Sequence, residues 1–247
     1  MSRPLFDDRA TAYARTRPTY PDRLFDHLAS LAPERRVAWD CGAGSGQSAR
    51  SLLNRFDRVV ATDVSRVQLE HAVREPRLHP VAATAEQAPL RDQSADLITV
   101  SAALHWFDRP RFYAEVRRVG RSGAVIAAWS YFRCHIASAI DAVVDRYADE
   151  LVASHWLPQF DLNRRNYAGV EFPFTPLPWI EVEAEAHMRL ADLLDYMRTW
   201  SASQSWARER GSDPVELVRG DLERAWGNPD AERLARWPLH GRIGRLS

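Results

Sequence analysis

Three glycines spaced two residues apart are the first feature of the chain that could support chemistry. Gly42, Gly44 and Gly46 follow the apolar run VAWD, and the residues from Gln47 onward predict a helix. Glycine lets a backbone turn sharply and approach a ligand, and a helix that begins there presents free N–H groups. The spacing is G-x-G-x-G, whereas nicotinamide dinucleotide sites carry G-x-G-x-x-G. The turn therefore predicts a ligand site of another kind.

Two acidic residues restrict the ligand that this turn could hold. Asp40 stands immediately before the glycines, where a carboxylate would repel a pyrophosphate and attract a cationic amine. Asp63 ends the second predicted strand, where an acid accepts hydrogen bonds from ribose hydroxyls in nucleotide-binding sheets. An ordinary strand-end acid or helix cap is the other interpretation of Asp63. A ligand with an amine at one end and a ribose at the other fits S-adenosylmethionine.

Strands and helices must position the residues around the glycine turn. Ser65 followed by Gln68 has the form of a capping box, and Asp108 can cap the helix after the fourth predicted strand. Because strands joined by helical or loop crossovers pair in parallel, we expect an open α/β sheet with helices on both faces. Ligands bind at the carboxyl ends of such strands. The predicted strands are RVAWD, RVVATD, HPVAAT, ADLITVSAAL and AVIAAWS.

The alternation of strands and helices changes after Tyr131. A helical segment is expected over residues 135–157 and a proline-rich loop over 158–178, and WIEVEAEAHM alternates like a strand with one exposed face. Two further helices are expected over residues 190–203 and 213–226. The stretch ARWPLHGRIGRL predicts a final antiparallel strand.

Composition argues against several classes of function. All 33 basic residues are arginine, so the chain has no lysine for a Schiff base or a Walker-type phosphate loop. The 33 basic and 33 acidic residues cancel, so neither a nucleic acid nor a membrane surface is expected as a partner. Cys41 and Cys134 make neither a disulfide framework nor a metal site, so we expect no metal and a reducing, cytoplasmic location. The longest apolar stretches are too short to span a bilayer.

Several longer stretches carry a resemblance to a known family. VAWDCGAGSGQ, VVATDVS, AEQAPLRDQSADLITVSAALHWFD and EVRRVGRSGAVIAAWSY together resemble the successive motifs of class I S-adenosylmethionine-dependent methyltransferases, over about residues 37–131. YARTRPTYP, LHWFD and YMRTWSASQ look like the small-molecule branch that includes the trans-aconitate methyltransferases. The resemblance implies a Rossmann-like, seven-stranded, mostly parallel sheet whose antiparallel last strand inserts between the fifth and sixth. Helices on both faces and a small helical cap complete the expected fold.

The resemblance also implies a division of the chain and a set of cofactor contacts. We expect a lid segment and first helix in residues 1–36, the cofactor-binding core in 37–131, a helical and proline-rich cap in 132–180, and strands and helices that complete the sheet in 181–247. S-adenosylmethionine is the implied cofactor and S-adenosylhomocysteine the implied product. The expected cofactor-binding residues are Tyr13, Arg17, Asp40, Gly42, Ala43, Gly44, Gly46, Gln47, Asp63, Val64, Gln68, Ala85, Glu86, Ser101 and Ala102.

The methyl acceptor is expected to be a small molecule methylated on oxygen, and its chemistry decides which residues are needed. A carboxylate acceptor needs no general base, only a pocket with an arginine, for which Arg133 and Arg164 or Arg165 are candidates. A phenol or an amine would benefit from a base. His105 is the candidate for that catalytic role, because it follows the fourth predicted strand at the edge where ligands bind.

The remaining expectations concern the acceptor wall and the alternative functions. The predicted substrate contacts are Trp106, Trp129, Tyr131 and Arg133. Core packing is the other interpretation of Trp129 and Tyr131, and a solvated loop position is that of Glu86. A non-catalytic S-adenosylmethionine-binding protein and an RNA methyltransferase are the alternative functions, the second disfavoured by the neutral charge balance. A monomer or a homodimer is expected.

Overall fold

The structure, a computed structural model, describes residues 18–72 and 75–247. The expected cofactor contacts of Tyr13 and Arg17 therefore lie outside the described residues. The strands are β1 (Val37–Cys41), β2 (Arg58–Asp63), β3 (Leu78–Ala82), β4 (Ala95–Ser101), β5 (Gly120–Ser130), β6 (Thr175–Leu177), β7 (Glu183–Met188), β8 (Arg233–Pro238) and β9 (His240–Arg245).

Helices connect most of these strands. The α-helices are α1 (Asp22–Leu31), α2 (Gln47–Leu53), α3 (Arg66–Glu70), α4 (Arg109–Val119), α5 (Ser138–Arg146), α6 (Asp161–Arg164), α7 (Leu190–Arg198), α8 (Ser201–Arg210) and α9 (Arg219–Trp226). A π-helical turn covers Tyr147–Leu151, and short 3₁₀ turns cover Leu104–Trp106, Ala153–His155, Pro158–Phe160 and Pro214–Leu217.

Seven of the strands form one sheet in the order β3-β2-β1-β4-β5-β9-β6. Strands β1 to β5 pair with one another in parallel, whereas β9 runs antiparallel to both β5 and β6. This arrangement confirms the predicted Rossmann-like α/β fold, including the antiparallel last strand between the fifth and the sixth. The strand order reverses between β1 and β4, so the carboxyl ends of these two strands border a crevice of the kind that binds ligands in open α/β sheets.

The sheet is covered on both faces, because its central strands are apolar along their whole length. In β4 every residue over 95–100 is buried. Successive side chains of a strand point to opposite faces. Leu97 accordingly packs in the same cluster as Trp129, and Ile98 packs in the cluster on the other face, with Trp39. Parallel strands buried in this way have the near-continuous apolar runs that the sequence shows.

Two predicted caps begin the helices beside the crevice. The Oγ of Ser65 accepts a hydrogen bond from the N–H of Gln68 at 3.2 Å, and the carboxylate of Asp108 accepts one from the N–H of Arg111 at 3.3 Å. The N–H of Ser65 donates to Oδ1 of Asp63 at 2.8 Å, so the capping box forms only its first half. The last residue of β2 thereby fixes the start of α3.

The second half of the chain differs from the sequence prediction in its strands. Residues 158–178, expected to be a loop, contribute the edge strand β6, which is too short to show an alternating pattern and contains Pro176, a residue that edge strands tolerate. WIEVEAEAHM contributes β7, which pairs with β8 in a separate two-stranded sheet. ARWPLHGRIGRL divides into β8 and β9, and the break follows Pro238, which has no N–H to continue a ladder.

The helices of this half are more broken than the sequence predicts. Residues 135–157 contain α5, the π-helical turn and a 3₁₀ turn in place of one helix. Residues 190–203 contain all of α7 and the start of α8 in place of one helix. Within the described residues, every helix falls short of the length and apolarity that a bilayer crossing requires.

Candidate active site

A cavity of about 880 Å³ opens at the carboxyl ends of β1, β2 and β4. Its first part is lined by the glycine turn (residues 42–46), the residues after β2 and β3, and the end of β4. Its second part, here called the aromatic chamber, is lined by aromatic residues of the turn after β4 and of segments that follow β5. These residues are Trp106, Tyr131, Phe132, Trp156, Phe160 and Trp200.

The backbone of the glycine turn has a conformation that favours glycine over residues with a Cβ. Gly42, Gly44 and Gly46 have φ angles of 69°, 55° and 81°, in the left-handed region that favours glycine. A Cβ on Gly42 would lie 2.6 Å from the Cβ of Ala103, closer than two carbon atoms can pack. The N–H of Gly42 donates to the carbonyl of Thr62 at 2.8 Å, which attaches the turn to β2. The turn is thus a fixed cradle of backbone with no side chain filling it.

Asp63 joins the glycine turn to the end of β2. Its Oδ2 accepts a hydrogen bond from the N–H of Gly44 at 2.9 Å, and its Oδ1 accepts one from the N–H of Ser65 at 2.8 Å. Asp63 lines the cavity, and among the described lining residues it is the only aspartate, glutamate or arginine. A carboxylate held by two backbone donors stays in one orientation and keeps lone pairs for a ligand.

Asp40 lies beneath the turn and not among the residues that line the cavity, and its expected interaction with a cationic amine stays a prediction. The residue is 1% exposed, its Oδ1 accepts a hydrogen bond from Oγ1 of Thr99 at 2.8 Å, and its Oδ2 is buried without a partner among the described residues. Burial raises the pKa of Asp40 to about 7. The physical reason is the position of Asp40 within β1, where the neighbouring strands cover it on both sides.

The end of β4 forms the floor between the two parts of the cavity. Ser101 and Ala102 both line it, as predicted, and the Oγ of Ser101 donates to Oη of Tyr20 at 2.7 Å. Ala102 has a φ of 50°, which is uncommon for a residue with a Cβ, and its N–H donates to the carbonyl of Trp129 at 2.8 Å. Such strained positions often occur at functional sites. Tyr20 was not among the predicted residues, although it belongs to the YARTRPTYP stretch.

Most of the predicted site residues come together at this cavity. Gly46 and Glu86 do not line it: Gly46 caps α2, and Oε1 of Glu86 accepts a hydrogen bond from the N–H of Asp108 at 2.9 Å. Glu86 therefore ties its loop to the start of α4, and its expected adenine contact stays a prediction. The predicted residues that line the cavity are Gly42, Ala43, Gly44, Gln47, Asp63, Val64, Gln68, Ala85, Ser101, Ala102, His105, Trp106 and Tyr131.

Trp129 and Arg133 are not among the described residues that line the cavity, and their predicted substrate contacts stay predictions. Trp129 is fully buried below the floor, and its ring packs edge-on against Tyr20 at 5.6 Å and Phe25 at 6.0 Å. The guanidinium of Arg133 donates to Asp145 at 2.5 Å and to Asp149 at 2.9 Å. Two carboxylates thus already neutralise the charge that a substrate anion would need.

The other arginines proposed for a carboxylate acceptor are also paired. Arg164 donates to Asp149 at 3.1 Å, and Arg165 pairs with Asp161 at 2.9 Å. No arginine occurs among the cavity-lining residues in the part of the chain that the structure describes. That same part contains no group of three or more His, Cys, Asp or Glu side chains that could hold a metal ion.

His105 lies between two aromatic rings in the aromatic chamber. Its ring centroid is 4.9 Å from that of Trp106 and 5.0 Å from that of Phe160. Both ring nitrogens are buried and have no hydrogen-bond partner among the described residues. Burial lowers the pKa of His105 to about 3, so the imidazole is neutral at physiological pH. The predicted base is therefore present in the cavity as an uncharged ring with an unused acceptor nitrogen.

The rest of the aromatic chamber was missed by sequence reasoning. The ring of Trp156 lies 5.3 Å from Phe132, 5.7 Å from Phe160 and 5.7 Å from Trp200. These residues come from three separate segments, and one or two aromatic residues in a segment give no pattern that distinguishes a binding wall from core packing. A weak signal was the concentration of tryptophan after residue 150.

Comparisons with known proteins agree with this site. A family model described as a methyltransferase domain matches residues 39–128, which include the glycine turn, Asp63 and β4. A solved structure from Anaeromyxobacter dehalogenans, described as a type II methyltransferase, is 40% identical, with a TM-score of 0.87, and the match covers 93% of this chain and 97% of that one.

Two curated proteins extend the comparison. A Dictyostelium discoideum protein named as a methyltransferase is 29% identical over 92% of this chain and 89% of its own length. A malonyl-[acyl-carrier protein] O-methyltransferase of Dechloromonas aromatica is 34% identical over 47% of this chain and 47% of its own length. The chain belongs to the class I S-adenosylmethionine-dependent methyltransferases and is an enzyme of that class.

Proposed function

We propose that the enzyme transfers a methyl group from S-adenosylmethionine to an oxygen atom of a small-molecule acceptor, and that this oxygen belongs to a hydroxyl group. One observation carries the proposal. The same cavity continues from the glycine turn and Asp63 into the aromatic chamber that contains His105. A cofactor site and an acceptor site in one cavity allow the two reactants to be held in line.

The residues at the glycine turn fit S-adenosylmethionine. The turn presents bare backbone to the cavity at Gly42 and Gly44, and two buried polar atoms beside it, Oδ2 of Asp40 and Oε1 of Gln68, have no partner among the described residues. Buried polar atoms left without partners are costly unless a ligand satisfies them. In this proposal the glycine backbone would hold the methionine part, and the carboxylate of Asp40 beneath it would attract the cationic amine.

The nucleoside would lie toward β2 and β3. Asp63 accepts from the ribose hydroxyls, and Val64 and Ala85 pack on the adenine. Val64 is 54% exposed, which is unusual for a valine that borders a cavity and leaves an apolar face for a flat ring. S-adenosylhomocysteine would leave from the same residues as the product.

The chain's own residues then align the acceptor, exclude water and move a proton. When bound, S-adenosylmethionine supplies an electrophilic methyl group whose carbon–sulfur bond breaks toward sulfur as the acceptor oxygen forms its new bond to carbon. Positive charge develops on the hydroxyl oxygen as that bond forms, so its proton becomes strongly acidic and even a weakly basic imidazole can accept it. His105 has an unused ring nitrogen for this step, and positioned proton transfer contributes roughly 10²- to 10⁴-fold in rate.

A hydroxyl fits the chamber better than a carboxylate. Arg133, Arg164 and Arg165 pair with acids of the cap, and the aromatic walls offer no charge to a carboxylate. Moving an unpaired anion into such surroundings carries a large desolvation cost. The similarity to a malonyl-[acyl-carrier protein] O-methyltransferase of Dechloromonas aromatica supports oxygen as the acceptor atom but not the choice of a hydroxyl, since the free oxygen of a malonyl group belongs to a carboxylate.

Calorimetry and a labelled-methyl assay test the proposal. S-adenosylhomocysteine should bind with a dissociation constant in the micromolar range, and a screen with labelled S-adenosylmethionine should give product with phenols and not with carboxylic acids. Absence of binding heat together with failure to compete would overturn the cofactor site. Transfer to carboxylic acids alone would overturn the hydroxyl assignment.

A further inference from the structure

Asn163 is a buried polar residue in the wall of the cavity whose hydrogen-bonding capacity is unused. It lies on α6, is 5% exposed and lines the cavity next to the aromatic chamber. Its Oδ1 is buried and has no hydrogen-bond partner among the described residues. A buried amide oxygen without a partner costs stability, and such a cost in a ligand cavity indicates a group that the ligand satisfies.

Neighbouring contacts fix the backbone of the segment that carries Asn163. The backbone carbonyl of Asn163 accepts a hydrogen bond from the N–H of Asn166 at 2.9 Å, and Arg164, the next residue, pairs with Asp149 at 3.1 Å. Helix α6 begins directly after Phe160, whose ring lies 5.0 Å from that of His105. One short segment therefore carries both the ring that contacts the candidate base and the unused amide.

The chemistry of these atoms limits the acceptor. An amide oxygen only accepts hydrogen bonds, so Asn163 requires an O–H or N–H donor on its partner. The hydroxyl that is methylated loses its proton as the oxygen–carbon bond forms, and in the proposed function this proton goes to His105. A second donor, which keeps its proton throughout, is needed to satisfy Asn163.

The walls define the rest of the acceptor. The rings of Trp106 and Phe160 meet at 88°, and those of Trp156 and Phe160 at 50°, so the chamber presents both edges and faces to a flat ligand. Aromatic rings pack favourably in these orientations. An uncharged aromatic ring system meets the requirements of the walls and avoids the cost of an unpaired charge.

We propose that Asn163 determines acceptor specificity by accepting a hydrogen bond from a second hydroxyl or amino group, so that the preferred acceptors are uncharged aromatic diols or aminophenols and not aromatic mono-alcohols. The proposal rests on the proposed function, because it concerns the acceptor side of the same cavity. Asn163 acts on substrate choice, whereas His105 acts on the reacting oxygen.

Matched acceptors and matched variants test the role of Asn163. The probes are a set of dihydroxynaphthalenes and the two naphthols, each assayed with labelled S-adenosylmethionine. For the wild type, kcat/KM for the best dihydroxynaphthalene should exceed that for the naphthols by about 10-fold or more. Asn163→Leu, close in size, should reduce this ratio toward one with little change for the naphthols. Asn163→Asp keeps an acceptor oxygen at the position and should retain the preference.

Gln159→Leu provides the control, because Gln159 also lines the cavity but is exposed, and the ratio should stay at its wild-type value. The ratio within one variant is insensitive to partial misfolding, which lowers both rates equally. Equal wild-type rates for diols and naphthols, or an unchanged ratio in Asn163→Leu, would overturn the assignment of Asn163. Binding of S-adenosylhomocysteine with faster transfer to the naphthols than to any dihydroxynaphthalene would overturn it too, while leaving the proposed function intact. Loss of S-adenosylhomocysteine binding in the wild type would instead contradict the proposed function.

Discussion

The rings of His105 and Phe160 lie 5.0 Å apart, although His105 follows β4 and Phe160 precedes α6, more than fifty positions later in the chain. This contact holds the segment around Phe160 against the edge of the sheet where β4 ends. It also removes the imidazole from water, which is why the pKa of His105 falls to about 3. The cap thus shapes the acceptor wall and sets the protonation state of the candidate base.

His105→Gln should lower kcat by about 10²-fold or more and leave the affinity for S-adenosylhomocysteine unchanged, because the ring acts on the acceptor and not on the cofactor. Since the pKa of His105 is about 3, its titration should add no step to the wild-type pH–rate profile between about pH 5 and 9. Steady-state kinetics and calorimetry measure both quantities. His135→Gln, at an exposed histidine, is the control and should behave as wild type. A wild-type kcat in His105→Gln would contradict the proposed role of His105 as general base.

Asp40→Asn should stabilise the protein at alkaline pH. The folded-state pKa of Asp40 is about 7, above the unfolded value, so the native state loses stability as pH rises from about 4 to 7 and does not regain it above that range. The amide carries no charge to bury, so its advantage over wild type should be about 1–4 kcal/mol at pH 8 and small near pH 4. Urea unfolding at several pH values measures the difference.

Asp57→Asn is the matched control for this experiment, because Asp57 is exposed, and its stability should follow wild type across the same pH range. S-adenosylhomocysteine should also bind more weakly to Asp40→Asn, since the amide offers no negative charge to the cationic amine. A variant with wild-type affinity and a wild-type pH dependence of unfolding would contradict the role given to Asp40.

Gly42→Ala should abolish cofactor binding and destabilise the fold by about 1–3 kcal/mol. Its Cβ would meet that of Ala103 at 2.6 Å, and the φ of 69° is itself unfavourable for alanine. Gly123→Ala separates the two effects, because Gly123 has a φ of 76° but nothing within 4 Å of the added Cβ. That control should lose about 1 kcal/mol and bind S-adenosylhomocysteine normally. Thermal unfolding and calorimetry on both variants separate the effect of the steric clash from the effect of backbone strain.

Arg133→Gln should leave the KM for the acceptor and kcat within about twofold of wild type, because the guanidinium pairs with Asp145 and Asp149 outside the cavity. Pairs of this partly exposed kind contribute about 0–1 kcal/mol, so the stability loss should be small. A rise of tenfold or more in KM for an acidic acceptor, with unchanged stability, would instead support the predicted contact between Arg133 and the substrate.

The features that sequence predicts well are those encoded by neighbouring residues. Strands β1, β2, β4 and β5 are visible as apolar runs, the glycine turn as a spacing, and the start of α3 as a cap at Ser65. The position of Asp63 at a strand end follows from the same patterns. Each of these features is decided by local physical chemistry, and the parallel order of the strands follows from the crossovers.

The features that sequence does not predict depend on contacts between distant segments. Trp129 lies near the end of β5 and Tyr131 directly follows the strand, and alternation predicts the same face for both. In the structure the ring of Trp129 packs against Tyr20 and Phe25, whereas Tyr131 lines the cavity. Asp40 ends the apolar run of β1 as expected, but its nearly complete burial is not visible in the sequence, because that burial depends on the pairing of β1 with β2 and β4. The acceptor wall falls in this category as well, since Phe160 and its neighbours meet only in the folded chain.

The pairing of β9 has a consequence for the order in which the sheet is assembled. Strand β6 pairs with β9 and with no other strand of the described sheet, so it cannot join its neighbours until the residues over 240–245 have been synthesised. Strands β1 to β5 need no later segment to pair with one another. Strands β1 to β5 should therefore be able to fold early as the chain leaves the ribosome, whereas the pairing of β6 with β9 at the opposite edge is a late event of high contact order.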